Sequence, residues 1–215
     1  LNLNRCIFIA NPNAPTGLIL PLDCIRKIIE SNKDHVVIID EAYIDFGGES
    51  CVQLVNEYDN VLIVQTYSKS RSLAGGRLGY AIGNAELIAD LTKIKFSTNP
   101  YNINRLTLAA GEASLNDAEY YRNNCQKIIE NRRYTTTELI KLGFEVLASC
   151  SNFVFARTDR MEGGELYLKL KAKGILVRHF DKERIKDYLR ITIGTKEQMT
   201  ALINTLETIF KEENR

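Results

Sequence analysis

The sequence has almost no net charge, and it lacks the patterns that mark several classes of binding protein. Its 28 basic and 27 acidic residues leave a formal net charge of +1. This balance gives no reason to expect a nucleic acid or an anionic membrane as a partner. No apolar run reaches the roughly 20 residues of a membrane-spanning helix, and no basic-then-apolar signal peptide opens the sequence. We therefore expect a cytoplasmic protein that binds neither nucleic acid nor membrane.

The sequence also lacks a cysteine pattern typical of metal or redox sites. Five cysteines are present, and none forms a CxxC pair. An odd, scattered set of this kind is typical of free thiols in a reducing compartment. We expect no metal site and buried or half-buried free thiols at all five positions: Cys6, Cys24, Cys51, Cys125 and Cys150.

Short apolar runs alternate with helical patterns in the first part of the sequence. Strands are predicted at 5–10, 35–40 and 61–65, and a helix at 22–32. Nearly unbroken apolar strands separated by helices indicate a parallel sheet covered on both faces. A fourth strand at 77–83 follows too soon for a helical crossover, so we expect it to run antiparallel.

The middle of the sequence reads as helix. One helix is predicted at 84–95, with Asn84 as its cap, and a single long helix at 103–142, with Gly143 ending it. Several apolar side chains are expected near one face of the long helix. They are Tyr121, Cys125, Ile128, Ile129, Leu139 and Ile140.

Beyond the long helix, short strands alternate with helices at about 164–173 and 196–211. This pattern is typical of a small α+β domain. We place a domain boundary inside the long helix. The predicted fold class is α/β, with a partial, mostly parallel large-domain sheet at 1–125 and a smaller α+β domain at 126–215.

Polar residues gather where the predicted strands end. NPNAPTG (11–17) follows the first strand, Asp40 ends the second, and TYSK (66–69) follows the third. In open α/β sheets, ligands bind beyond the carboxyl ends of the strands. Asp40 follows an apolar run, so its carboxylate needs a donor or a cation, and a helix cap or structural ion pair is an equally open interpretation. Tyr43 is open to interpretation as a packed aromatic residue.

Lys69 lies among hydroxyl and guanidinium side chains. A lysine becomes a nucleophile when burial or nearby positive charge lowers its pKa, and a solvated surface lysine is the plain alternative. Thr66, Ser68 and Arg77 have the donors that bind a phosphate group. Pyridoxal phosphate would use this whole set, because it needs a lysine, a carboxylate for its ring nitrogen and phosphate donors.

Four segments carry a resemblance to a known family. They are IANPNAPTG (9–17), IIDEAYIDF (38–46), QTYSKSRSLAGGRLGYAIG (65–83) and ILVRHFDKERIKDYLRITIGT (175–195), and they occur in family order. The chain resembles the fold-type-I pyridoxal-phosphate-dependent aminotransferases, and most of all those members that act on histidinol phosphate. The resemblance implies the pyridoxal-phosphate transferase fold of that family and a homodimer.

The resemblance also implies roles for the residues at the strand ends. Lys69 would bond covalently to the cofactor, Asp40 would pair with its ring nitrogen, and Tyr43 would donate to the ring 3-oxygen. The cofactor phosphate would be bound by Thr66, Ser68 and Arg77.

Substrate contacts are implied further along the chain. Arg190 matches the arginine that binds the substrate carboxylate, Arg178 matches a second substrate arginine, and Asn152 would line the same site. A surface salt bridge is the alternative for each arginine. Where the family commonly has N-P-N-N-P-T-G, this chain has Ala14, which lacks the donor. Asn13 or its neighbour Asn11 would compensate, or Tyr43 would act alone.

The implied reaction is ping-pong transamination between histidinol phosphate and 2-oxoglutarate, giving imidazole-acetol phosphate and glutamate. Three alternatives stay open: an aromatic or aspartate aminotransferase or a threonine-phosphate decarboxylase on the same scaffold, a non-catalytic cofactor-binding domain, or a plain structural domain. The resemblance covers the C-terminal part of a family member, and Leu1 opens directly into a strand pattern. We expect a chain that starts partway into a domain and self-associates through exposed sheet edges. Whether it turns over alone stays open.

Overall fold

A computed structural model describes residues 5–213, and the chain divides into two units. The first unit contains the chain up to Asn13 together with Ile19–Asn124. The second contains Ala14–Leu18 and the chain from Cys125 onward. Ala14–Leu18 belongs to the second unit, where the Cys150 amide donates to the Gly17 carbonyl at 2.9 Å. The division into a large domain at 1–125 and a small domain at 126–215 stays a prediction.

The sheet of the first unit forms from the apolar, β-branched runs of the sequence. Its strands, in spatial order, are β1 (Ile7–Ala10), β2 (Val37–Asp40), β3 (Val61–Thr66) and β4 (Gly79–Gly83). β1, β2 and β3 are parallel, and β4 is antiparallel to β3. This confirms the predicted mostly parallel sheet and the reversed fourth strand.

Helix α1 (Leu22–Glu30) packs on this sheet. Its buried residues, Ile25 and Ile29, lie one turn apart and join the strands in one core. The other buried members of this core are Val37, Ile39, Cys51, Leu54, Val61 and Ile63. The expectation that both faces of the sheet are covered is wrong at β1, where Phe8 is 64% exposed.

Helix α2 (Ala85–Thr98) begins as predicted, with the Leu87 amide donating to Asn84 Oδ1 at 2.9 Å. The single long helix is a wrong prediction. The structure has α3 (Arg105–Asn116) and α4 (Ala118–Lys141), separated at Asp117. The Asp117 carboxylate accepts from the Tyr120 amide at 3.3 Å, the local bond by which Asp favours a helix start over a helix interior.

The predicted apolar face of α4 holds only in part. Cys125 and Leu139 are buried, but Ile140 is 56% exposed. Ile140 follows Leu139 directly, and adjacent helical positions point about 100° apart, so both cannot face one core. Gly143, at φ +87°, follows the helix in the left-handed region as predicted.

The second unit is an antiparallel sheet with helices on one face. Its strands are β5 (Phe144–Val146), β6 (Phe153–Thr158), β7 (Arg178–His179) and β8 (Leu189–Thr192), in the order β5-β6-β8-β7. Helices α5 (Gly163–Ala172) and α6 (Lys196–Glu213) pack with the alternating residues Val154 and Ala156 of β6 and Leu189 and Ile191 of β8. The opposite face of β6 carries Phe153, Phe155 and Arg157.

Candidate active site

Asp40 is the last residue of β2 and is level with Ala10 of β1 and Val64 of β3. Its Oδ1 accepts from the Ala42 amide at 3.0 Å, so it shapes the turn that follows the strand. Within residues 5–213 it forms no ion pair, which argues against the structural ion-pair interpretation. A half-buried carboxylate at the carboxyl end of a parallel sheet can accept from a ligand.

Lys69 lies in the turn after β3, with its side chain exposed. Its Nζ lies 5.2 Å from the centroid of the Tyr43 ring. The same described residues give this amine no carboxylate within ion-pair distance. The Tyr43 ring attracts the ammonium group without bonding to it as a carboxylate would.

Thr66, Ser68 and Arg77 lie on the connection between β3 and β4. The Thr66 hydroxyl contacts the Ser68 hydroxyl at 3.0 Å and accepts from the Ser68 amide at 3.1 Å. Thr66 of β3 pairs with Gly79 of β4, and Arg77 precedes Gly79 by two residues. Arg77 has a φ of +54°, and its guanidinium donates to the Ala74 carbonyl at 3.1 Å. The hairpin therefore brings two hydroxyls and the backbone of an arginine to one turn.

Glu41, next to Asp40, is a buried hydrogen-bond acceptor that the sequence alone did not reveal. It is 2% exposed and accepts from Ser50 Oγ at 2.7 Å, the Cys51 amide at 2.6 Å and Gln65 Nε2 at 2.7 Å. Gln65 in turn accepts from the Tyr80 hydroxyl at 2.5 Å. Glu41 thus ties the turn after Asp40 to β3 and, through Gln65, to β4. The sequence feature that could have indicated this contact is Gln65, the single polar residue of the run VLIVQ (61–65).

Arg71 lies two residues after Lys69, in the same turn. Its guanidinium donates to the Ser114 carbonyl at 2.8 Å and lies 4.0 Å from the Tyr121 ring centroid and 5.9 Å from that of Tyr67. Arg71 therefore anchors the turn that carries Lys69 against α3 and α4. A cavity of about 270 Å³ adjoins it.

The predicted substrate residues lie in the second unit. Arg178 of β7 and Arg190 of β8 are directly opposite each other in the sheet. Arg190 lies 5.1 Å from the Phe153 ring centroid and 5.7 Å from that of Phe180. Asn152 precedes β6, is half-buried, and accepts from the Ile193 amide through its backbone carbonyl at 2.9 Å.

The asparagines near Ala14 differ in their surroundings. Asn11 is 1% exposed, and its side chain exchanges two hydrogen bonds with the Leu20 backbone, at 2.7 and 3.3 Å. It holds the two ends of the loop together. Asn13 is half-buried and belongs to the first unit, whereas Ala14 is exposed and belongs to the second.

All five cysteines lie in the part of the chain that the structure describes, and they are thiols that take part in no disulfide. Cys51 and Cys125 are buried and Cys150 is half-buried, but Cys6 and Cys24 are exposed, which corrects the expectation for those two. Residues 5–213 contain no group of three His, Cys, Asp or Glu side chains placed to hold a metal ion. In the same range, no helix has the length and apolar character needed to cross a membrane.

Comparison with known proteins gives the family. The family model described as aminotransferase class I and II matches residues 2–206. The chain belongs to the class I and II aminotransferase family. The four motif segments all lie inside the matched range.

Individual members of this family are similar over nearly the whole chain. The histidinol-phosphate aminotransferase of Brachyspira hyodysenteriae is 53% identical over 211 residues, which are 98% of this chain and 60% of that protein. The solved histidinol-phosphate aminotransferase of Clostridium acetobutylicum is 30% identical, with a TM-score of 0.84 over 96% of this chain and 64% of that one. That of Sinorhizobium meliloti, solved with pyridoxal-5'-phosphate, is 23% identical and shares the fold, with a TM-score of 0.86 over 96% of this chain and 57% of that one. The chain spans about three-fifths of the length of the curated relatives it matches.

Proposed function

We propose that the chain is part of a pyridoxal-phosphate-dependent aminotransferase that moves an amino group between histidinol phosphate and 2-oxoglutarate. The observation that carries the proposal is the Lys69 amine, which lies over Tyr43 with no carboxylate partner among the described residues. The 53% identity to a histidinol-phosphate aminotransferase supports the choice of substrate.

The donors of the first unit fit this cofactor. The hydroxyls of Thr66 and Ser68 share one turn, and Arg77 is close by in the hairpin, so a phosphate group would find neutral and charged donors together. Asp40 offers a carboxylate for the ring nitrogen, and Lys69 an amine for the aldehyde. When bound, the cofactor stabilises negative charge at the substrate Cα.

The protein groups would then hold and move protons. Asp40 would keep the ring nitrogen protonated, and Tyr43 would donate to the ring 3-oxygen. Lys69 Nζ would take the proton from the substrate Cα and return it. Asn13 is assigned to the cofactor by resemblance.

Substrate recognition would rest on two arginines. Arg190 would bind the α-carboxylate of glutamate or 2-oxoglutarate with two parallel hydrogen bonds, and this would fix the direction in which the Cα proton of glutamate leaves. Arg178 would bind the substrate phosphate. Asn152 is assigned to the substrate by resemblance.

An assay of donor choice tests the substrate. Glutamate formed from 2-oxoglutarate would be measured with histidinol phosphate, phenylalanine or aspartate as donor, and carbon dioxide release with O-phosphothreonine. We expect the highest kcat/KM with histidinol phosphate, and a loss of that preference in Arg178→Gln but not in Arg184→Gln, a nearby exposed arginine. A higher kcat/KM with another donor would overturn the proposal.

We further propose a cytoplasmic homodimer, with 1–125 and 126–215 as its domains. Exposed apolar side chains on α2 and α3 support self-association: Ile94 is 60% exposed, Phe96 65% and Leu106 84%. The exposed Phe8 on β1 supports it as well. Light scattering coupled to size-exclusion chromatography measures the mass in solution, and a monomer at high concentration would contradict the homodimer.

A further inference from the structure

Phe180 lies against both of the arginines to which the proposed function assigns substrate binding. The Arg178 guanidinium carbon lies 5.3 Å from the Phe180 ring centroid, and that of Arg190 lies 5.7 Å from it. Neither guanidinium forms an ion pair among residues 5–213. Aromatic rings therefore contact both guanidinium groups: Phe180 contacts both, and Phe153 contacts Arg190 as well, at 5.1 Å.

The sheet places these two charges at an unfavourable spacing. Arg178 and Arg190 are directly opposite in the β7–β8 ladder, where like charges repel. The face of an aromatic ring attracts cations, so Phe180 offsets part of that repulsion without neutralising either charge. A bound anion would offset the rest of the repulsion between the two arginines.

A third arginine of the same sheet, Arg157, differs from these two because carboxylates pair with it. Arg157 of β6 contacts Glu145 Oε2 at 2.7 Å and Asp159 at 3.7 Å. Its charge is satisfied within the protein, as is common for a structural surface arginine. Arg178 and Arg190 have no such carboxylates, so their charges remain available to a ligand.

The Phe180 ring is itself held in place. It meets the Phe155 ring edge-on, with centroids 6.4 Å apart and an interplanar angle of 68°. Phe155 is 1% exposed and stacks on Tyr188 at 4.6 Å. Phe155 is also the β6 partner of Arg190. The Phe180 ring is therefore packed against the buried Phe155 of the sheet.

We propose that Phe180 is a positioning residue, which holds Arg178 and Arg190 side by side so that they bind the two carboxylates of glutamate or 2-oxoglutarate, with Arg178 also serving the phosphate of histidinol phosphate. This inference rests on the proposed function. It deepens that function by adding a residue that acts on substrate binding through the two arginines. Without the ring, both long side chains would have to be ordered when the substrate binds, and affinity would fall roughly tenfold.

The test uses the full chain and a probe with one carboxylate and one phosphonate, 3-phosphonopropionate, which has no amine to react with a cofactor. Its dissociation constant is measured from the side-chain Nε–Hε signals of Arg178 and Arg190 in NMR spectra. We expect both signals to shift together in the unchanged protein, and Phe180→Leu to weaken binding roughly tenfold. Phe180→Tyr, which keeps the ring, is expected to bind like the unchanged protein.

The control is Phe96→Leu, the same change at a ring that is 65% exposed on α2. Backbone amide spectra report whether Phe180→Leu folds, and Phe180→Met replaces it if it does not. Unchanged affinity in the folded Phe180 variant, with affinity lost in Arg178→Gln and Arg190→Gln, would overturn the role of Phe180 alone. Unchanged affinity in both arginine variants would overturn their proposed substrate role as well.

Discussion

Lys69 Nζ lies 5.2 Å from the centroid of the Tyr43 ring. This contact joins the turn after β2 to the turn after β3, because the two strands are parallel neighbours whose carboxyl ends meet at one edge. An aromatic ring restrains the lysine while leaving its nitrogen without a carboxylate. The same sheet edge carries Asp40, so an amine and a carboxylate come from the ends of adjacent strands.

Glu41→Ala should destabilise the protein, because it leaves Ser50 Oγ, the Cys51 amide and Gln65 Nε2 without their buried acceptor. The expected fall in the free energy of unfolding is about 2–4 kcal/mol, measured by urea unfolding. Glu49→Ala is the control, since Glu49 is exposed. A fall no larger than that of the control would mean that Glu41 does not fix this turn.

Stability should decrease at alkaline pH because of Cys51. Burial, with the neighbouring Glu41 carboxylate, raises the pKa of the Cys51 thiol to about 12, whereas an unfolded cysteine has a pKa of about 8.5. Above about pH 8.5 the unfolded chain therefore loses this proton first, and the free energy of unfolding falls as pH rises, by up to about 1.4 kcal/mol per unit.

The slope of unfolding free energy against pH, between pH 8.5 and 10, measures this effect. Cys51→Ala should have a shallower slope than the unchanged protein, and Cys24→Ala, an exposed cysteine, should not. Equal slopes for all three proteins would contradict the prediction.

Truncation of Leu170 should destabilise the second unit, whereas truncation of Leu168 should have little effect on its stability. Both lie on α5, but Leu170 is 0% exposed and Leu168 is 62% exposed. Leu170→Ala removes buried apolar volume and should cost about 2–5 kcal/mol of unfolding free energy. Leu168→Ala should stay within about 0.5 kcal/mol. Similar losses for the two, measured by thermal or urea unfolding, would show that α5 packs by another face.

Local signals in the sequence predicted much of the first unit. The β-branched runs predicted β2 and β3. The short connection after β3 predicted that β4 is antiparallel, and Asn84 predicted where α2 begins. The polar residues at the strand ends were found in the same way, because strand direction alone places them at one edge.

Features that depend on contacts distant in sequence could not be predicted. The buried acceptor role of Glu41 requires Gln65, 24 residues away, and the anchoring of Arg71 requires Ser114, 43 residues away. Phe180 contacts both Arg178 and Arg190 only because of the register of β7 and β8. These relationships exist only in the folded chain.

The most direct test of the proposed function is the visible absorbance of the purified chain mixed with pyridoxal phosphate. Three proteins are compared: the unchanged chain, Lys69→Ala, and Lys95→Ala, which removes an exposed lysine of α2. We expect a yellow band in the first and third proteins that disappears on borohydride reduction, with peptide mass spectrometry locating the reduced adduct at Lys69. No band in any protein, or an equal band in Lys69→Ala, would contradict the assignment of Lys69 as the residue that holds the cofactor.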